Sequence, residues 1–537
     1  MGYIDNVFLG VRPWTRAGLA HMIVDAGATI EDGEEDGDST AMEAGSIYRS
    51  LLREVGTGSD DGCAHQPPEA KLESVYSIAR GMGGTPLRDS FHLGSTIVND
   101  YGRPYASGFN NYSGISGYAI AGRFAFYVRT EFQGSPSATG YSPALAQELS
   151  TIDQTTYLNP ATGLPYNQDT IPAGQLASSV YGRLLEAYLS FQYQNHEFSF
   201  GKLDEWLGPA QGGSFAYSNN AQNIYAFHIN RIEPLHVPAL SRITGPFRYE
   251  FLVGALRGHT LMPNPAYPGA DQPNIITPGD PWVHVEKISF RPTENLEFGF
   301  ERTALFGGEG HAPVTMKSFL RSFFSTYSPS VSVKFGPDDP GARFGSFDFS
   351  YRLPFLRNWL TLYSDAEAHD DVSPIDAPRH ACVRPGLYLS HVPGVAKLDF
   401  RVEAVSTAPP TPNSHGGVFE YWEGLEKQGY TNQGAIFGDW IGREAKGGQG
   451  WISYHLSGNE WIQLELRNQK AADDFIPGGT TINDIDAQVV KRFRKDLELR
   501  CNFGLERWKA PIYLAGQQTS TTTEIQLTWF AGRKVAF

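Results

Sequence analysis

Between residues 365 and 371 the chain reads DAEAHDD, which sets Asp365, Glu367, His369, Asp370 and Asp371 in one short run. Carboxylates beside an imidazole offer oxygen and nitrogen ligands to a divalent ion. The charge pattern argues more strongly for a hydrated strand end. Ser214 sits in GGSF, which lacks the G-x-S-x-G spacing and the following helix of a nucleophile elbow. His391, His415 and His455 stand without readable partners, and no phosphate loop or dinucleotide fingerprint occurs. No catalytic residue, metal ligand or cofactor site is assigned, and the chain is expected not to be an enzyme. A hydrolase is the weaker alternative.

Two loop segments carry a different chemistry. GFNNYSG contains Asn110, Asn111 and Tyr112, and residues 418 to 443 contain Tyr421, Trp422, Trp440 and Arg443. Sugars stack apolar ring faces on aromatic side chains, while amides and guanidinium groups bind hydroxyls. These seven residues are the candidates for polysaccharide binding. A polymer touching several weak sites at once gains avidity. The other reading of each ring is packing between loops or an interfacial belt.

Strands must position these loops. LDFRVEA sets Leu398, Phe400 and Val402 against Asp399, Arg401 and Glu403. SFDFSYRL, WIQLELR and LELRCNFGLE alternate in the same way, as does the final TTTEIQLTWF, where Ile525, Leu527 and Trp529 share a face. A period of two with one apolar face defines strands. Tight turns at Glu294-Asn295, Gly458-Asn459 and Lys495-Asp496 alternate with long loops near 134–178, 260–281, 307–340 and 408–447. That rhythm describes a transmembrane β-barrel, with charged faces turned to the lumen. Counting from Arg88 gives about eighteen strands, so the fold class is all-β membrane, a closed antiparallel barrel. No apolar run reaches the roughly 18 residues of a membrane helix. The mean hydropathy of -0.32 fits a barrel, where only alternate residues meet lipid. Net charge of -15 excludes nucleic acid as a partner. Cys63, Cys382 and Cys501 imply no disulfide framework.

The first residues read differently. Thr15 caps a helix through Leu19, Met22 and Ile23, and Ser39 caps a second one carrying Ile47 and Leu51. The acidic run EDGEEDGD, residues 31 to 38, reads as a solvated loop, and 56 to 68 as another. A boundary near Pro86 makes residues 1–85 a small α-helical periplasmic section and residues 86–537 the barrel. Met1-Gly2-Tyr3-Ile4 shows no signal peptide. The connection EPLHVPALSRITGP, residues 233 to 246, is long for the short-turn side and should hold a short helix. Loops 134–178, with SPALAQELS as a helix, and 307–340 are expected to fold inward and close the lumen. A porin-like diffusion channel for small solutes or oligosaccharides is the alternative.

The chain resembles the capsule assembly Wzi family. The likeness rests on GVRPWTRAGLAHMI at 10–23, FGK at 200–202, GPAQGGSFAYSNNA at 208–221 and GPFRYEFLVGALRGH at 245–259. It implies a plugged outer-membrane barrel, a lectin that helps attach capsular polysaccharide to the cell surface, and no enzyme activity. The acidic run at 31–38 departs from the family. Expected partners are capsular or exopolysaccharide, outer-membrane lipid and the barrel assembly machinery, met through the C-terminal strand. A monomer is expected.

Overall fold

A computed structural model describes residues 1–4, 7–55, 68–159, 162–166, 168–262, 275–276, 280–307, 314–324, 341–370, 377–409, 417–424, 427–532 and 534–536. Among these, eighteen strands form one closed antiparallel barrel. They are β1 (Glu69–Gly84), β2 (Gly108–Ala121), β3 (Phe124–Ser135), β4 (Ser179–Tyr193), β5 (His196–Lys202), β6 (Tyr225–Arg231), β7 (Phe247–Ala255), β8 (Trp282–Thr293) and β9 (Leu296–Phe306). The wall continues with β10 (Ala342–Arg352), β11 (Leu360–His369), β12 (Cys382–Leu389), β13 (Leu398–Ser406), β14 (Ala445–Ser457), β15 (Glu460–Ala471), β16 (Thr480–Arg492), β17 (Leu497–Ala510) and β18 (Leu514–Trp529). Each pairs with the next, and β18 closes on β1 from Val75↔Trp529 to Gly84↔Ser520. The short segment Lys534–Ala536 also pairs with β1. Closure leaves no unpaired strand edge, as hydrocarbon requires.

The faces follow the alternation. Ile525 and Leu527 are 50% and 48% exposed, whereas Glu403 is 1% exposed and points into the lumen. Short turns form one rim. Gln194 and Asn195 join β4 to β5 with φ of 47° and 62°, the left-handed pair of a tight hairpin turn. The short helix Ser241–Thr244 lies on the same rim, between β6 and β7.

The boundary near Pro86 requires correction, because β1 lies wholly within residues 1–85. Its outward face carries Ser77, Ala79, Gly81 and Gly83, while Tyr76, Ile78 and Met82 are buried inward. Most of its large apolar side chains thus face the plug, beside buried Arg80, and of its exposed positions only Val75 is large and apolar. A second correction concerns the acidic run. Gly27–Glu35 is helical, between the helices Arg16–Val24 and Ser39–Val55. Ile30 buries against Ala26 and Ala44, and Glu34 pairs with Arg49 at 3.0 Å, so one face of the run is anchored. Thr15 caps the first helix as expected, accepting from the Gly18 amide. The loop 56–67, Cys63, His415 and most of 260–281 fall outside the described residues.

Loop 307–340 also departs from expectation. Its described helix, Met316–Phe324, lies on the outside of the wall, not in the lumen. His284 and Arg302 share the parity of the exposed Ile288 and Phe300, so they face outward. Phe323 stacks on His284 with centroids 4.2 Å apart, and Ser322 Oγ stands 2.8 Å from His284 Nε2. Arg302 donates to the Phe323 carbonyl. The helix satisfies polar groups that lipid would leave unpaired.

The lumen is filled from both rims. From the long-loop side, residues 85–107, 203–224, 407–409, 417–424 and 427–444 join helix Pro143–Ile152 around Phe91, Phe215, Tyr217, Tyr430 and Phe437. From the other side the chain enters at residues 7–14. Glu297 accepts from the amides of Leu9 and Gly10 at 2.7 and 2.9 Å. Arg12 pairs main chain to main chain with Trp206, and its guanidinium donates to the carbonyls of Gly208 and Ala210. The two motif stretches 10–23 and 208–221 therefore meet inside the barrel.

Candidate functional site

The long-loop rim holds the candidate residues, yet it buries most of them. Asn110 points inward from β2 and is spent on the loop below it. Its Oδ1 accepts from the Ala106 amide at 3.0 Å and its Nδ2 donates to the Ala106 carbonyl at 2.9 Å. Tyr112 lies under the guanidinium groups of Arg80 and Arg103 and donates to the Pro104 carbonyl at 2.8 Å. Asn111 has the opposite parity, lies on the outer face and donates to the Ile78 carbonyl at 3.1 Å.

Tyr421, Trp422, Trp440 and Arg443 do come together, inside the plug. Tyr421 Oη accepts from the Asp439 amide at 2.9 Å. Trp422 Nε1 donates to the Asp153 carbonyl at 3.3 Å, and Trp440 Nε1 to the Gly212 carbonyl at 2.6 Å. Arg443 donates to Asp153 Oδ1 at 2.8 Å and stacks on Phe91 and Phe475. All four are buried. Their side chains are covered by protein. Sequence shows ring type and not what covers the ring.

One buried chain of charges ties these loops together. His92 in loop 85–107 places Nδ1 2.9 Å from Asp89 Oδ1 and Nε2 2.7 Å from Asp153 Oδ2. Asp153 also takes Arg443, and Tyr141 donates to Asp89 at 3.1 Å. Burial opposes charge on His92, but Asp89 and Asp153 outweigh it and push its pKa up to about 9. The imidazolium is thus held between two carboxylates. Arg443 and His92 together hold the Asp153 carboxyl low, against burial.

Above this floor, two aromatic residues remain half-exposed. Phe475 follows the exposed pair Asp473 and Asp474, and Arg443 backs it at 4.7 Å. Tyr513 stacks on Trp508 with centroids 5.9 Å apart and planes at 5°, and meets Tyr141 edge-on. The two loops touch, since a Cβ on Gly478 would stand 3.0 Å from Pro511. Lys470 pairs with Asp473 at 3.3 Å in the open. Both aromatics are single rings in short connections, a weaker signal than the dense segment 418–443.

The chemistry considered for DAEAHDD also changes. Asp365, Glu367 and His369 are buried in the lumen and not hydrated. Asp365 accepts from the Phe215 amide at 3.1 Å, Glu367 from Ser346 Oγ at 2.9 Å, and His369 Nδ1 meets the Phe419 carbonyl at 2.6 Å. Asp371 lies outside the described residues. Ser214 is buried and donates to the Leu207 carbonyl. His455 has a partner after all, Asp399 at 2.6 Å.

Comparison with known proteins agrees with this architecture. The sequence profile for capsule assembly protein Wzi matches residues 78–523. A Klebsiella pneumoniae protein, described as an uncharacterized 55.8 kDa protein in the cps region, is 24% identical over 187 residues. That match covers 34% of this chain and about a third, 33%, of the relative. The solved structure of Wzi from Escherichia coli is described as an outer-membrane, carbohydrate-binding β-barrel involved in group 1 capsule assembly. It shares 15% identity, covers 98% of this chain and 94% of its own, and superposes with a TM-score of 0.64, which shows a common fold. With the profile spanning most of its length, this outer-membrane barrel belongs to the capsule assembly protein Wzi family.

Proposed function

We propose that the chain binds capsular or extracellular polysaccharide on its long-loop rim and so helps attach the polymer to the cell surface. The family match over residues 78–523 carries this reading. Phe475 and Tyr513 offer half-exposed rings for pyranose faces, beside Asp473, Asp474 and Lys470 for hydroxyls. Trp422, Trp440 and Arg443 serve by fixing the floor beneath them. A rigid platform loses little entropy on binding, and a polymer engages it repeatedly. The filled lumen favours binding over a porin-like diffusion channel, and stable large single-channel currents in planar bilayers would reverse that order. The protein acts as a binding protein, not an enzyme. The short-turn rim with its helices faces the periplasm, outer-membrane lipid surrounds a monomer, and β18 engages the barrel assembly machinery.

The test is capsule retention in a strain lacking the gene. Complementation with the wild type should restore surface polymer. Phe475→Ala with Tyr513→Ala should leave barrel levels normal and lower retention. Trp422→Ala with Trp440→Ala should lower retention and also loosen the plug to protease. Unchanged retention in the deletion strain sinks capsule attachment, whereas unchanged retention in the rim variant alone removes only these two rings.

A further inference from the structure

Two wall strands and one plug loop bring three ligating side chains to a single buried point. His228 points inward from β6 and Glu250 from β7, and Glu205 comes from the 203–224 connection. All three are 4% exposed, and their ligand atoms lie within 4.8 Å of one another. His228 Nε2 stands 2.7 Å from Glu250 Oε1 and 3.4 Å from Glu205 Oε1. Donors around a tetrahedral zinc ion at about 2.0–2.2 Å stand roughly 3.3 Å apart, so the cluster has nearly the size of a coordination shell.

Charge balance points the same way. Two carboxylates face each other here, away from water, and one imidazole joins them. Glu250 Oε2 has no hydrogen-bond partner among the described residues, although Glu250 is buried. The nearest arginine on the same strand, Arg248, is engaged elsewhere, donating to the Arg231 carbonyl and Asn230 Oδ1. Lys202 donates to the Leu184 carbonyl. Glu205 and Glu250 thus form a buried pair of carboxylates. Such a pair needs a proton or a cation between its oxygens.

We propose that Glu205, His228 and Glu250 bind one divalent transition-metal ion, with Zn2+ the best match to a donor set of one imidazole and two carboxylates. The ion fastens the plug to the wall. Glu205 precedes Trp206, whose main chain pairs with Arg12, so the ion sits where the plug loop leaves the wall and meets the chain entering from the opposite rim. An all-carboxylate set would suit Ca2+ or Mg2+ instead, but the imidazole disfavours both.

The experiment uses the full chain, folded in detergent, stripped with chelator and dialysed against Zn2+, Ca2+ or Mg2+. Elemental analysis should find about one zinc per chain and no retained calcium or magnesium. Zinc should raise the thermal midpoint and protect residues 203–224 from protease. Glu250→Gln, and separately the loop variant Glu205→Gln, should weaken zinc binding more than about tenfold, as loss of a ligand does. Exposed Glu233→Gln should bind as the wild type does. Should a variant fail to fold, X-ray absorption on the zinc-loaded wild type decides, with one imidazole and carboxylate oxygens expected. A sulfur or all-histidine shell, zinc retained equally by every variant, or no zinc in the wild type would each overturn the site. The last result would leave His228 hydrogen-bonded to Glu250 with no ion between them.

Discussion

The barrel wall and the plug it encloses are held by different forces. In the wall, every strand hydrogen-bonds to two neighbours, and the outward face is completed by lipid. That scheme repeats eighteen times, and no single side chain is decisive. The plug has no such lattice. Its segments are joined by side chains reaching main-chain groups, as Trp440 reaches Gly212, and by buried ion pairs to the wall. Arg384 on β12 holds Asp439 of the plug at 2.6 and 2.7 Å and Glu403 of β13 at 3.0 Å. Arg467 on β15 donates to the Thr96 carbonyl and to Asp484. A few charged joints thus carry what many equivalent bonds carry in the wall.

The sharpest way to break this contrast is to remove the best joint. Arg384→Ala leaves Asp439 and Glu403 buried without their partner, a loss of roughly 3–5 kcal/mol. The expected outcome is a folded, heat-modifiable barrel whose loop 407–444 is cut readily by protease. A barrel that fails to assemble would mean that wall and plug fold as one unit.

The matching change in the wall is Leu527→Arg. Leu527 faces outward at 48% exposure, and a cation placed toward lipid costs about 2–4 kcal/mol near mid-depth. Folding yield into vesicles should fall, while molecules that do fold should keep a protease-resistant plug. Equal loss of plug resistance in those molecules would erase the distinction.

The same contrast explains what could be read from sequence. Strands such as LDFRVEA announce themselves because lipid and lumen impose opposite polarity on alternate residues. β1 escaped because plug packing put Tyr76, Ile78 and Met82 on the inside, leaving Ser77, Ala79 and glycines outside. The external helix Met316–Phe324 was equally hidden, since a loop's length says nothing of which side of the wall it takes. In segment 418–443 the wealth of rings could be read from sequence, but not that Tyr421, Trp422 and Trp440 are buried. Tyr421 and Trp440 reach the carbonyls of Phe215 and Gly212 far along the chain, and main-chain groups leave no trace in residue type. Phe475 and Tyr513, the rings proposed for the rim, stand alone in short connections and carry little pattern.

A pH titration sharpens the plug side alone. His92 titrates near 9 in the folded chain against an ordinary 6.5, because Asp89 and Asp153 outweigh its burial. A raised pKa contributes stability that is fully present below about 6.5 and is lost as pH climbs through about 9. The contribution is on the order of 1–3 kcal/mol. Protease resistance of the plug should therefore decline between pH 7 and 10 with the barrel intact, and His92→Gln should flatten that decline. A decline of the same size in His92→Gln would assign the pH dependence to other groups.

The smallest effect belongs to the helix that roofs the plug. Helix Pro143–Ile152 buries Leu145, Ala146 and Leu149 and exposes Gln147 and Glu148. Ser142 caps it, with Oγ accepting from the Leu145 amide at 3.2 Å, and Pro143 stands at the first position, where no amide is needed. Ser142→Ala removes one acceptor from an orphan amide and costs about 1 kcal/mol. The buried leucines keep the helix docked, so the change should appear only as faster hydrogen exchange in its first turn, near Leu145. The C-terminal end should not respond, because Asp153 there is fixed by His92 and Arg443. If exchange quickened along the whole helix, the roof would be held by its cap and not by the charges beneath, and the account of the plug as a charge-jointed body would be wrong at this point.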